Sequence, residues 1–149
     1  MNNWERMKAG RLYNADSKDL EKYHSFGMET CDKFNRTPLW RKKRKQRLLE
    51  KLIPSAKDGG AAIFAPFYCE YGVNIHFGKG CFVNYKCTFL DCAPITLEDG
   101  VWVGANVTIA TPCHPFLSDE RLPQQYPDGF HDLEYACLLY TSPSPRDTR

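Results

Sequence analysis

The groups in this sequence best suited to chemistry near neutral pH are four histidines (His24, His76, His114 and His131) and seven cysteines. An imidazole serves as a general base or a zinc ligand, and a thiol as a nucleophile, redox partner or ligand. The cysteines are odd in number and none forms a CxxC pair, which argues against a disulfide framework and against a zinc ribbon. His24 and His131 stand in no supporting context and read as surface residues. The other conspicuous feature is basic: Arg41, Lys42, Lys43, Arg44, Lys45 and Arg47 crowd one short segment. Such a run suits a polyanion, so a nucleic-acid-binding module through residues 41–47 is one reading. The plainer one is the solvated face of a helix whose other face carries Trp40, Leu48, Leu49, Leu52 and Ile53.

The elements that must position these groups fall into segments. The chain has 149 residues, a net charge of +2 and 42% hydrophobic residues, which fits one globular domain and predicts no polyanion partner for the chain as a whole. No run of eighteen apolar residues predicts a membrane span, and the N-terminus lacks the apolar stretch of a secretory signal, so the expected location is the cytoplasm. Residues 1–57 read as helical. Asn14–Ser17 is an N-cap cluster, followed by an apolar run through Leu20, Tyr23, Met28 and Phe34 with Gly27 as an interruption. Thr37-Pro38 starts a second helix from Leu39 to Ile53.

From residue 65 the period becomes six. Ala65, Tyr71, Phe77, Val83, Phe89, Leu97, Val103 and Ile109 take the first place of successive hexads, with one two-residue insertion around Pro94–Thr96. Cys69, Ile75, Cys81, Cys87, Ala93, Val101, Val107 and Cys113 take the fifth place. This is the hexapeptide signature of a parallel β-helix, in which three short strands make a triangular coil of eighteen residues and every sixth side chain stacks inward. The coils are expected over 58–114, a loop over 115–137, and a non-native tail over 138–149, where the period stops and the sequence resembles translated adapter.

Several stretches together resemble the maltose and galactoside O-acetyltransferases of the hexapeptide-repeat superfamily. They are MKAGRLYNAD, EKYHSFGMETCDKFN, the run from YCEYGVNIHFGKG to IATPCHP, and the loop to about Glu134. The resemblance implies a left-handed parallel β-helix with an N-terminal α-helical cap, assembled as a homotrimer with active sites between prisms. It implies acetyl transfer from acetyl-CoA to a hydroxyl of maltose, glucose or a related glycoside. His114 matches the catalytic base, and Asp16, Glu70, Asn84 and Asp91 match positions that bind the acceptor. Cys92 stands where galactoside-type members carry a second acid, which tilts the resemblance toward the maltose branch. In the family most coenzyme A contacts come from coils after the 115–137 loop. No such residue is assigned here, and an inactive fragment is the alternative to an active enzyme. Zinc, which gamma-class carbonic anhydrases of the same superfamily hold, is not expected. The hexad register puts His76 and His114 on one corner two coils apart, roughly 10 Å at the spacing of strands, with only Pro94 or Thr96 between them.

Overall fold

The computed structural model describes residues 1–115 and 117, and the backbone of four short strands beyond them. Four helices come first: α1 (Asn3–Lys8), α2 (Lys18–Arg36), α3 (Lys42–Leu52) and α4 (Ala56–Gly59). α1 is short, so its start needs fixing. Asn2 accepts from the Glu5 N–H while Glu5 reaches back to the Asn2 N–H, a reciprocal cap.

The strands form three parallel ladders. The first face is β1 (Ala62–Ile63), β4 (Phe82–Val83) and β7 (Trp102–Val103). The second is β2 (Phe67–Cys69), β5 (Cys87–Leu90) and β8 (Thr108–Ala110). The third is β3 (Ile75–Phe77), β6 (Ile95–Leu97) and β13 (Leu139–Thr141), the last from the segment set apart in the sequence as a tail. Between β8 and β13, β9 (Pro112–Cys113) pairs antiparallel with β12 (Tyr135–Ala136), and β10 (Gln124–Tyr126) with β11 (Gly129–His131).

The coil is longer than eighteen residues. Ala62 pairs with Phe82 and Phe82 with Trp102, so each turn advances twenty. The inward rows are Ile63–Val83–Val103, Cys69–Phe89–Ile109 and Phe77–Leu97. Two extra residues therefore sit between the second and third faces in both turns, at 70–74 as well as at 90–94. This corrects the register expected for the first turn. Ala65 and Tyr71 leave the inward row, Cys69 joins it opposite Phe89, and Ala93 and Cys113 leave the narrow place. An apolar Tyr71 six residues after Ala65 imitates the hexad, but its ring packs outside the prism with Met7, Tyr13 and Leu20.

The helices cover the prism. α2 runs unbroken through Gly27, and its buried face is Leu20, Gly27, Thr30, Cys31 and Phe34, while Tyr23 and Met28 point to solvent. A Cβ on Gly27 would come within 2.9 Å of the Tyr71 Cα, so glycine is there for close approach and not as a break. α3 starts at Lys42, since Leu39 and Trp40 form a turn closed by the Arg41 N–H donating to the Pro38 carbonyl (3.0 Å). Leu49, Leu52 and Ile53 are buried as expected, but Trp40 is 74% exposed. Lys45 bends back to the carbonyls of Phe34 and Thr37 (3.0 and 3.2 Å), capping α2, and burial lowers its pKa. One of the six clustered cations thus has a structural task. No helix among the described residues is long and apolar enough to cross a membrane.

In an exposed helix, Gly→Ala stabilises by about 1 kcal/mol. Here Gly27→Ala should instead lower the unfolding free energy by roughly 1–3 kcal/mol, because the added methyl forces α2 off the prism. Chemical denaturation of the pair checks the sign, and a stabilised variant would contradict the close contact.

Candidate active site

The two-residue excess makes one corner of the prism project, and the polar groups gather there. A cavity of about 650 Å³ lies between this corner, α2 and the α1–α2 connection. Asp16, Glu70 and His114 line it, together with Tyr13, His24 and Tyr71.

Each is held by local structure. Asn3 Oδ1 accepts from the Asn14 N–H (3.0 Å), and Asn14 Oδ1 accepts from the Asp16 N–H (3.0 Å), an Asx turn that presents Asp16 beside the buried Tyr13. Glu70 follows β2, and its Oε2 lies 2.8 Å from His24 Nε2 on α2. His114 follows β9. The preceding Thr111 is buried, its hydroxyl donating to the Leu90 carbonyl (2.8 Å) and accepting from the Ala93 N–H (2.9 Å). That crosslink ties the 110–114 segment to the turn below it. Trp4 stacks on Tyr23 and meets the edge of Tyr71, backing the Tyr71 ring from outside the cavity.

Asp91 has a different place from the expected one. It is 0% exposed and does not line the cavity. Its Oδ1 accepts from the N–H groups of Glu70 (3.1 Å) and Tyr71 (2.9 Å), and its Oδ2 from Asn74 (3.2 Å). The Asn74 side chain returns a bond to the Asp91 carbonyl (2.8 Å). Asp91 therefore shapes the turn carrying Glu70 and Tyr71. Burial pushes its carboxyl up to about 6, against the pull of the N–H groups of Tyr71 and Asn74.

Asn84 is also elsewhere. It follows β4 at the corner between the first and second faces, where its N–H donates to the Val103 carbonyl and its Oδ1 accepts from the Tyr85 N–H (2.8 Å). The whole second face separates it from the corner of His114. His76 pairs with Thr96 in the third face, and with a twenty-residue coil its row does not pass through His114. No group of three metal-ligating side chains occurs among the described residues.

His24 is the residue that sequence reasoning missed. The signal was present: Leu20, His24, Gly27 and Cys31 follow helical spacing along one face of α2, which reaches the corner at Glu70.

A parallel prism with a helical cap and an acid-lined histidine cavity at one corner defines a hexapeptide-repeat acyltransferase architecture. A family model described as the maltose acetyltransferase hexapeptide capping motif matches residues 6–57. The chain is 30% identical to a maltose O-acetyltransferase from Clostridium difficile 630, whose crystal structure it matches with a TM-score of 0.81 over 93% of this chain and 69% of that one. It is 36% identical to nodulation protein L of Rhizobium leguminosarum bv. viciae over 78% of this chain, and 30% identical to the galactoside O-acetyltransferase of Lactococcus lactis over 81%. The chain belongs to the maltose and galactoside O-acetyltransferase family, and the β-helix is the left-handed one of that family. It spans 61% and 58% of the lengths of those two curated relatives.

Asp91 generates a pH signature. A carboxyl titrating near 6 when folded and at 3.8 when unfolded binds its proton more tightly in the folded state. Its burial penalty is therefore complete well above pH 6 and is relieved progressively below it, by about 3 kcal/mol in all once the pH lies below 3.8. The unfolding free energy of the wild type minus that of Asp91→Asn should rise between pH 7 and pH 4. A difference independent of pH would contradict the assignment.

Proposed function

We propose that this chain carries the acceptor site of a sugar O-acetyltransferase that uses acetyl-CoA as donor, with His114 as general base. The observation that carries the reading is the shared cavity of His114, Asp16 and Glu70. Two carboxylates beside one imidazole suit a polyhydroxyl acceptor: acids accept from hydroxyls they orient, and imidazole takes the proton of the one that reacts. The relatives named as maltose and galactoside O-acetyltransferases support the same class of acceptor.

In the reaction, the acceptor hydroxyl gives its proton to His114 while its oxygen bonds to the thioester carbonyl carbon. Backbone N–H groups stabilise the tetrahedral oxyanion. The carbon–sulfur bond then breaks, and the His114 proton passes to the departing sulfur, leaving an acetyl ester and free coenzyme A. Glu70, bridged to His24, and Asp16 hold the sugar. Asp91 acts one step back, by setting the turn that carries Glu70.

Asn84 enters from a second prism. Within one chain it lies a full face away from His114, so a shared site requires a neighbour to bring its first corner against this projecting one. The outer surface of the first face suits such a contact. Phe64, Phe82 and Trp102 form an aromatic ladder across it, and Trp102 is 78% exposed. A closed homotrimer satisfies this geometry three times over.

Thiol release from acetyl-CoA in the presence of glucose or maltose tests the base. His114→Ala should lose roughly 10²–10⁴-fold in rate with unchanged circular dichroism. A folded variant retaining most of the activity would remove His114 from its role.

A further inference from the structure

Gly27, Cys31 and Asn35 recur every fourth residue on α2 and face the segment 67–71, which runs against them. Gly27 sits on Glu70 and Tyr71. Asn35 holds Phe67 at both polar groups, Nδ2 donating to its carbonyl (2.7 Å) and Oδ1 accepting from its N–H (2.9 Å). Between these two anchors Cys31 meets Cys69. Cys31 Sγ donates to the Phe67 carbonyl (2.9 Å), two residues before Cys69 on the same strand, and the two thiols shift one another's titration in opposite directions. Both cysteines are 3% exposed. Both nevertheless line a cavity of about 480 Å³, with Met28, Asp32 and Tyr68 on its walls. Cys81 and Cys87 are different: inside the prism they give their S–H groups to the carbonyls of Glu98 and Gly104, each at 3.1 Å.

We propose that Cys31 and Cys69 are an oxidisable dithiol, converted by hydroperoxides to an intramolecular disulfide that ties α2 to β2 beside Glu70. The clamp at Gly27 and Asn35 provides the close approach of helix and strand that a disulfide requires. The pair also has a direction. Hydrogen bonding with Cys69 holds the Cys31 thiol below its ordinary value, while the same interaction and burial hold Cys69 well above. The Phe67 carbonyl works against a full thiolate at Cys31, but Cys31 remains the better nucleophile of the two.

The chemistry closes in two steps. The Cys31 sulfur bonds to one oxygen of hydrogen peroxide, the O–O bond breaks, and the thiol proton leaves with the departing oxygen as water. Cys31 is then a sulfenic acid. The Cys69 sulfur attacks the Cys31 sulfur, the S–O bond breaks, and the Cys69 proton leaves with the hydroxyl as a second water. The two sulfurs together lose two electrons, and the peroxide gains them. A thiol reductant reverses the product by exchange. The proposal stands on the dithiol geometry and is independent of acetyl transfer.

The test uses the full chain, reduced, desalted and treated with a few equivalents of hydrogen peroxide. It is then denatured, alkylated and mapped by mass spectrometry. Two of the seven thiols should become protected, both in one peptide pair joining residues 31 and 69, and dithiothreitol should restore them. The oxidised protein should also melt at a higher temperature than the reduced one, because the crosslink closes a long loop in the unfolded chain. In Cys31→Ser the pair should vanish and Cys69 stay alkylatable. Seven reactive thiols under conditions that oxidise a small-molecule thiol would overturn the proposal. Disulfides scattered among the other cysteines of the wild type would do the same.

Discussion

Three backbone N–H groups converging on the buried carboxylate of Asp91 are the constraint on which the site depends. The corner between the second and third faces holds two residues more than a hexad supplies, and those residues have no ladder partners of their own. Their N–H groups would be orphaned inside the protein without an internal acceptor, at roughly 1–3 kcal/mol each. Asp91 satisfies the N–H groups of Glu70, Tyr71 and Asn74 from the turn above. The burial that raises its pKa is the counterweight: the carboxyl sits where a charge is unwelcome, so that the turn can keep one shape.

From that turn the rest follows outward. With the turn set, Glu70 reaches His24, and α2 settles against the backbone at 70–71 through Gly27. With α2 settled, Leu20 packs with Met7 and Tyr13, and the α1–α2 connection brings Asp16 to the cavity. The extra residues at the corner are what give a plain prism its acid-lined cavity. They push acid-bearing backbone away from the coil axis, while the shorter corners keep the regular six-residue step.

The repeat was legible because stacking requires a large apolar side chain at a fixed interval, and Val83, Phe89, Leu97, Val103 and Ile109 declare it. Its first turn was misread because Tyr71 keeps the interval of six while belonging to a different cluster; only strand pairing separates the two. The site was legible in part. His114, Asp16 and Glu70 came from the family resemblance and converge in one cavity, whereas the residue types of Asn84 and Asp91 do not reveal which corner they occupy or which way they face. Gly27 read as a helix interruption because propensity is local, and the surface that rewards a missing Cβ lies more than forty residues further along the chain. His24 was passed over for the same reason, since its partner is on another element.

The central claim is that acceptor chemistry is assembled at the projecting corner, with His114 from one prism and Asn84 from the next. Its most direct test is complementation. His114→Ala and Asn84→Ala, each inactive alone, would be unfolded together and refolded, with native mass spectrometry to establish that mixed assemblies form. Mixed assemblies contain interfaces where an intact His114 faces an intact Asn84, so thiol release from acetyl-CoA with a sugar acceptor should return. Mixed assemblies that remain as inactive as their parents would place both residues in a single prism and contradict the account.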